Sequence, residues 1–572
     1  MSKLLSKFKR NAIDEFINSV DNQKVSALAI SEAGTGYVNA ETVSLFGGTT
    51  FTVTANATSN VTAVTLVTKG VYNNNVPNSA IYATGGTGTG LRVNVSFENE
   101  NNFYVFVGKQ SDYPTSDVEA EVESETDSFY DVWNEMMFGK KPTFKRVVPK
   151  HKWTSGTVYT QYDDQVELKD TNFFVITDTR DVFKCISNAG GANSTVKPTK
   201  SATYIGTPFQ TGDNYKWLYM YTVAQSDNLK FTTNEYIPVT ENEIVANAAV
   251  DGGIFHINVE DSGTDYPNHI GTITTTGNNS VVIIENTANT TSNYYKDSAI
   301  TVTNTSGNTF VRKISSSNTA YGIVITNSFP SGFLSNTCTY SIGPLLTINS
   351  RTGSNAYAYA VMNSVTGAIT RVNMAQYGTG YKDATVTVTS GTNLGSGAVL
   401  RPIISPDNGH GSNVYDELYC DALGVHCLFD EYSSTIFNTD VTYRTIGILK
   451  NPTDAGGTLY AANTFNQLCT INISGTGTGS YANGEVVTGS ISSASGRYAF
   501  ANSSVLTLTG VNGTFQSGEV LQGANGAQRI TSSGNTAANL AIYSGDILYV
   551  QNIQEVSRST SNKEQVKLVI RF

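Results

Sequence analysis

Charge, proline and cysteine are all scarce in this chain. Proline accounts for 13 of 572 residues and glycine for 51, far below what a collagen-like or proline-rich fibre needs in strict period. The five cysteines, Cys185, Cys338, Cys420, Cys427 and Cys469, are odd in number and scattered, unlike the framework of a small secreted domain, and read as reduced thiols made in a cytoplasm. No run of 18 apolar residues is present, so no helix is expected to span a bilayer. Charged residues are 15% of the chain, against about 25% in ordinary soluble domains. The 36 basic and 47 acidic residues leave a net charge of −11, so no global field draws the protein to nucleic acid or to an anionic membrane.

Hydrophobic residues, at 39%, are too many for a disordered chain. The length suggests roughly four domains. Tyrosine and phenylalanine, at 31 and 25, supply core and interface material. Gly, Thr, Ser and Asn are abundant, and period-2 alternation dominates in VTAVTLVT (61–68), TVTVT (385–389), VLTLTG (505–510) and the final VKLVIRF, where Val566, Leu568, Ile570 and Phe572 share one face of a strand expected to be tied into a sheet. The expected fold is mainly β.

Two helices interrupt the pattern. Leu5, Phe8, Ala12, Phe16 and Val20 recur at helical spacing in an opening segment that lacks the apolar core of a signal peptide and carries Asp14 and Glu15. An amphipathic helix packed on core or partner is expected there, in preference to one lying on a membrane. A second helix is expected over 127–139, with Asp127 and Ser128 as caps, Phe129, Val132, Trp133, Met136 and Met137 on its apolar face, and Gly139 and Pro142 at its end.

Internal repeats follow. SEAGTGY (31–37) and AQYGTGY (375–381) match, with VEDSGTDYP (259–267) a looser copy; SYANGEVVTG (480–489) and TFQSGEVLQG (514–523) match at an offset of 34 residues. Glycines permitting φ > 0 beside alternating strands make each unit a small β module. All three tryptophans, Trp133, Trp153 and Trp217, fall within 98–245, whereas 26–97, 246–410 and 466–540 have none and are Gly/Thr/Ser/Asn-rich. The expected organisation is a discontinuous β-sandwich-like core: an N-terminal helix (1–25), the core domain (98–245), core strands (411–465) and closing strands (541–572). Three small β modules interrupt it, at 26–97, 246–410 and 466–540. Loops of a rigid scaffold tolerate such insertions.

No catalytic, cofactor-binding or metal-binding residue is assigned. Cys420, His426 and Cys427 lie close in sequence but no second ligand pair follows at zinc spacing, and Val425, Cys427 and Phe429 share a strand face, so a packed thiol is expected. His256, His269 and His410 read as surface or structural. GGTGTG (85–90) lacks the Lys-Ser/Thr and the helix of a phosphate loop and reads as a turn. Asp163 and Asp164 would point to opposite faces of a strand, and Glu119, Glu121, Glu123 and Glu125 read as a solvated loop. A glycosidase needs two carboxyls brought together in space.

Several segments, taken in order, resemble a known family. KFKRNAIDEFINSV (7–20), FYVFVGKQSDYP (103–114), VWNEMMFGKKP (132–142) with VVPKHKW (147–153), GDNYKWLYMY (212–221) with TNEYIPV (233–239), YRTIGILKNP (443–452) and SGDILYVQNIQEVSRSTSNKEQVKLVIRF (544–572) are similar to the baseplate wedge subunit, gene product eight, of T-even-type contractile-tailed bacteriophages. The three insertions depart from that family's compact form. The resemblance implies a non-enzymatic, β-rich virion protein, a homodimer that joins other wedge proteins during tail assembly in the host cytoplasm, with no cofactor, nucleic acid or membrane insertion. A receptor- or glycan-binding tail adhesin is the alternative, since Gly/Thr-rich repeats decorate phage fibres, and a tail-associated polysaccharide hydrolase ranks third.

Overall fold

The computed structural model describes residues 16–17, 22–73, 80–108, 129–391, 394–430, 437, 441–524, 526–559 and 563–571. The chain is mainly β, and the four α-helices among these residues are at most seven residues long. Two compact units emerge: residues 146–421 form one, and the described residues before 146 join those from 422 onward in the other. The segment read as a single 98–245 core is therefore shared between them.

In the discontinuous unit, the strand Phe103–Gly108 is buried at every position. Phe103, Val105 and Val107 point into one apolar layer with Val425, Cys427, Phe429 and Ile448. Tyr104 and Phe106 point into another with Trp133, Leu449, Phe465 and Leu540. Alternate side chains leave opposite faces of a strand, so an unbroken apolar run such as FYVFV marks a strand covered on both sides. It is the centre of a five-stranded sheet, flanked by Met136–Lys140 and Val441–Lys450, with Thr464–Asn466 and Asp546–Arg558 at the edges. Glu564–Arg571 pairs along its length with Ala422–Phe429, which brings Val566, Leu568 and Ile570 onto the first layer; Phe572 lies outside the described residues.

The helix expected over 127–139 is shorter than its periodicity suggested. It spans Phe129–Glu135, and Met136–Lys140 continues directly as a strand. Met136, Met137, Phe138 and Gly139 are all buried, and a strand between two neighbours satisfies their backbone groups while burying both faces, which a two-turn helix cannot do. Trp133 is 1% exposed and packs within its own chain. Of the opening helix only Phe16 and Ile17 are described; both are helical, and the Phe16 ring lies 5.0 Å from Phe103 and 5.3 Å from Phe144. Leu5, Phe8, Ala12 and Val20 lie outside the described residues.

In the unit 146–421 the central strands Asp181–Ser187 and Lys216–Thr222 pair antiparallel. Val182, Ile186, Leu218 and Met220 face one core, and Phe183, Cys185, Trp217 and Tyr219 the other.

Each Gly/Thr-rich segment closes on itself. Asn22–Thr35 pairs with Thr89–Asn99, Ile254–Thr264 with Ser396–Ile404, and Cys469–Thr478 with Gln528–Asn535. The first of these starts at Asn22, so the boundary expected at 25/26 falls inside a strand. At the third, Asn539 N–H donates to Asn466 O at 3.0 Å and Leu540 N–H to Gln467 Oε1 at 2.8 Å, which fastens the two ends of the module together.

The tyrosine repeats share one device. Gly34, Gly263 and Gly378 have φ of +61°, +57° and +64°, and a Cβ at any of them would meet the backbone N of the partner strand at 2.6 Å (Leu91, Ala398 or Ala356) and the ring of the tyrosine three residues on at 2.8 Å. That ring (Tyr37, Tyr266 or Tyr381) lies across the glycine just before the partner strand, Gly88, Gly395 or Gly353. Tyr266 and Tyr381 also accept a main-chain hydrogen bond, from Ala398 and Ala356, each at 3.2 Å. GGTGTG is thus the seat of a tyrosine ring.

The two GE repeats lie in a closed six-stranded barrel. Val486–Gly489 and Val520–Gly523, one from each copy, pair antiparallel. A Cβ on Gly489 would meet the Glu519 carboxylate at 2.6 Å and one on Gly523 the Glu485 carboxylate at 2.4 Å, so each copy's glutamate reaches the other's glycine. Phe515 is buried in the barrel core and Tyr481 packs against it.

Gly378→Ala should cost about 1–3 kcal/mol from a left-handed backbone joined to a main-chain clash. Gly307→Ala, at φ +81° with nothing within 4 Å of its Cβ, should cost only the backbone part, about 1 kcal/mol. Urea unfolding of both variants checks this; equal losses would contradict the packing account.

Candidate functional site

The strand sequence DVFKCIS (181–187) holds a lysine in an otherwise apolar run that is buried throughout. Lys184 shares the face of Val182 and Ile186, so its ammonium enters the core and requires a partner there. Glu417 supplies it from the short helix Val414–Glu417, whose start Asn413 caps by accepting from the Tyr415 and Asp416 amides at 3.1 Å each. Lys184 Nζ donates to Glu417 Oε1 at 2.6 Å, His410 Nδ1 lies 2.8 Å from the same oxygen, and Gly411 N–H donates to Oε2 at 2.6 Å. The Lys184 ammonium also sits 3.7 Å from the centre of the Tyr162 ring, a cation–π contact. Burial pushes the Glu417 carboxyl up, but Lys184 and His410 outweigh it and hold it below the usual range. Burial, joined by the Lys184 charge, pulls His410 down to about 4, so the ring is neutral and its Nδ1–H is the donor that this network requires. Buried at 0–3% exposure and bonded to one another, these side chains form a structural clamp between strand and helix.

A cleft of about 760 Å³ in the same unit is open to solvent. Ile257 faces an apolar core with Val259 packed against it, while His256, Asn258 and Glu260 on the other face of their strand line the cleft. Lys216 stands at the start of its strand, where the layer of Leu218 and Met220 ends. Burial, then the charge of Arg371, lowers its pKa to about 8, and its ammonium has no hydrogen bond or ion pair with any described residue. The guanidinium of Arg371, an exposed residue, donates to Asn214 Oδ1 at 2.8 Å and to no other side chain among the described residues. His256 Nε2 is 3.0 Å from Asn258 Oδ1, which also accepts from Gln161 Nε2 at 2.6 Å, and His256 Nδ1 is buried without a partner. Burial, reinforced by Lys216, takes the pKa of this imidazole down to about 3.

Arg401 organises the acidic end of the cleft. Its guanidinium binds Asp163 through Nη1 (3.2 Å) and Nη2, Asp164 at 3.5 Å and Glu260 at 2.8 Å. Asp163 and Asp164 therefore meet at one cation, contrary to the alternation argument, because they sit in a loop and turn and not in a strand. Burial raises the pKa of Asp164, while for Asp163 the hydrogen bonds of Arg401 overcome burial and lower it. Asp213, which also lines the cleft, accepts from the Thr195 and Val196 amides at 2.7 and 2.9 Å and from the Ser194 and Thr211 hydroxyls.

The other residues singled out in sequence are dispersed. Cys420 Sγ donates to Val147 O at 3.3 Å and Cys427 Sγ to Lys140 O at 3.8 Å, while His426 Nε2 meets the Gln565 amide at 2.8 Å. Cys427 is packed with Val425 and Phe429. His269 bridges Tyr340 OH (2.7 Å) and Thr287 (3.2 Å). Glu119, Glu121, Glu123 and Glu125 lie outside the described residues. Among the described residues no group of three His, Cys, Asp or Glu is placed to hold a metal ion. Sequence reading passed over Lys184, Glu417, Lys216 and Arg371; only Lys184 carried a local signal, a lone charge inside a doubly buried strand.

Lys184→Met should cost about 3–5 kcal/mol by leaving the Glu417 carboxylate buried without its cation, and adding Glu417→Gln should restore part of the loss. Stability should also fall as pH drops from about 6.5 towards 4, because unfolded His410 takes up a proton that the folded ring refuses. Urea midpoints at pH 7 and pH 5 read this, and a pH dependence unchanged in His410→Gln would contradict the assignment.

Compared with models of known protein families and with curated proteins, the chain matches none.

Proposed function

We propose that the protein is a structural subunit of a contractile phage tail, a baseplate wedge component that works as a homodimer and joins other wedge proteins in the virion. The reading rests on the resemblance, and one observation supports it. Segments that carry the resemblance are far apart in sequence yet become neighbours. FYVFVG, MMFGK, YRTIGILK and the strand Asp546–Arg558 are all members of one five-stranded sheet. KWLYMYT and TNEYIPV contribute Leu218, Met220, Ile237 and Val239 to one core of the other unit. The segments that depart from the family each close by pairing their own first and last strands. Mechanically, such a subunit transmits force through backbone hydrogen bonds and packed layers, for which strands buried on both faces are suited.

In this reading the dimer is built from the core segments, through a two-fold contact. Light scattering on the purified chain at micromolar concentration should give the mass of a dimer. A trimer would favour the receptor- or glycan-binding adhesin, and a stable monomer would remove support from both.

A further inference from the structure

The cleft between the strands that begin at Lys216, Ile254 and Ile369 contains cations that the protein itself does not neutralise. Asp163 and Glu260 are taken up by Arg401, and Asp213 by the 194–196 loop. Lys216 and Arg371 are left facing the cleft with no carboxylate partner among the described residues. A half-buried ammonium in this position costs desolvation energy that nothing in the chain returns. His256 Nδ1, an acceptor with no donor, is a second unmatched group in the same wall. The remaining polar lining is amide and hydroxyl, from residues such as Gln161, Asn188, Gln210 and Thr370.

From this arrangement we infer that the cleft binds an acidic saccharide, with the sugar carboxylate held by Lys216 and Arg371 and its hydroxyls exchanging hydrogen bonds with the amides and the Arg401-bound carboxylates. The division of charge selects the class. One carboxylate matches the two unpaired cations, and a ring bearing several hydroxyls, each both donor and acceptor, matches the mixed polar remainder. A phosphate ion fits less well, since it would use the two cations but carries no set of ring hydroxyls to exchange hydrogen bonds with the amide lining. The cleft volume of about 760 Å³ accommodates a short oligosaccharide. No bond is made or broken; the site is a binding site. The inference is independent of the baseplate reading, because it rests on unmatched groups within one unit and holds for a structural subunit and an adhesin alike.

Calorimetric titration of the full chain with 3′-sialyllactose, a trisaccharide with one carboxylate, and with maltotriose and inorganic phosphate tests it. Sialyllactose should bind saturably at pH 7, and maltotriose and phosphate roughly tenfold more weakly or not at all. Lys216→Met and Arg371→Gln should each lower sialyllactose affinity by about tenfold or more, and Lys216→Arg should keep it within roughly threefold. Affinity should also decline above about pH 8 as Lys216 loses its proton. Unchanged melting temperatures show that the variants fold; if Lys216→Met does not, Arg371→Gln at the exposed rim decides alone. No saturable binding of sialyllactose, equal binding of maltotriose or phosphate, or affinity unaffected by a folded charge-removing variant would each overturn the inference.

Discussion

The pairing of each Gly/Thr-rich segment's first strand with its last is the constraint on which the rest of this chain depends. Asn22–Thr35 with Thr89–Asn99, Ile254–Thr264 with Ser396–Ile404, and Cys469–Thr478 with Gln528–Asn535 return the chain close to where it departed. Without that return, Phe103–Gly108 would not lie beside Val441–Lys450, nor Val441–Lys450 beside Asp546–Arg558. The entropy of closing a loop grows only with the logarithm of its length, and a loop that folds into its own barrel or sheet meets that cost with its own packing. The barrel has a core of Ile471, Val487, Leu508, Phe515 and Leu521 for this purpose.

Within that frame, the two units solve the same problem differently. Strands covered on both faces have no solvent side, so every polar group on them needs an internal answer. In the discontinuous unit the answer is to have few: Phe103–Gly108 carries one phenol, and Tyr104 OH donates to Tyr460 O at 3.0 Å and Ala462 O at 2.8 Å. In residues 146–421 Lys184 is accepted and fully matched by Glu417, with His410 and Gly411 completing the carboxylate's shell. Lys216, on the neighbouring strand, is not matched, and that difference separates a clamp from a site.

The β character, the repeats and their glycines were legible in the residues, because alternation and positive φ are local properties. The tyrosine of each G-T-x-Y unit was legible as a repeat but not as a plug, since the glycine it covers lies just before a partner strand that pairing alone identifies. The helix at 129–135 was over-extended: Met136 and Met137 continue a helical spacing, and only the neighbouring strands show that a sheet claims them. Asp163 and Asp164 were separated by a strand rule that a turn suspends. The cleft was illegible, since Lys216, His256 and Arg371, which line it, and Arg401, which holds the lining acids Asp163 and Glu260, come from four strands, each ordinary in its own segment. The boundary at 145/146 was hidden because it falls inside one strand, Thr143–Pro149, whose sequence runs on without a break.

We propose that this chain is built into a contractile tail as a wedge component. Electron microscopy of the particles made with this protein, at a resolution that traces its strands, measures that most directly. The account predicts density for the chain in two-fold pairs within each baseplate wedge, with the five-stranded sheet inside the assembly. Density only at fibre tips in three-fold groups, or particles complete without the chain, would contradict it.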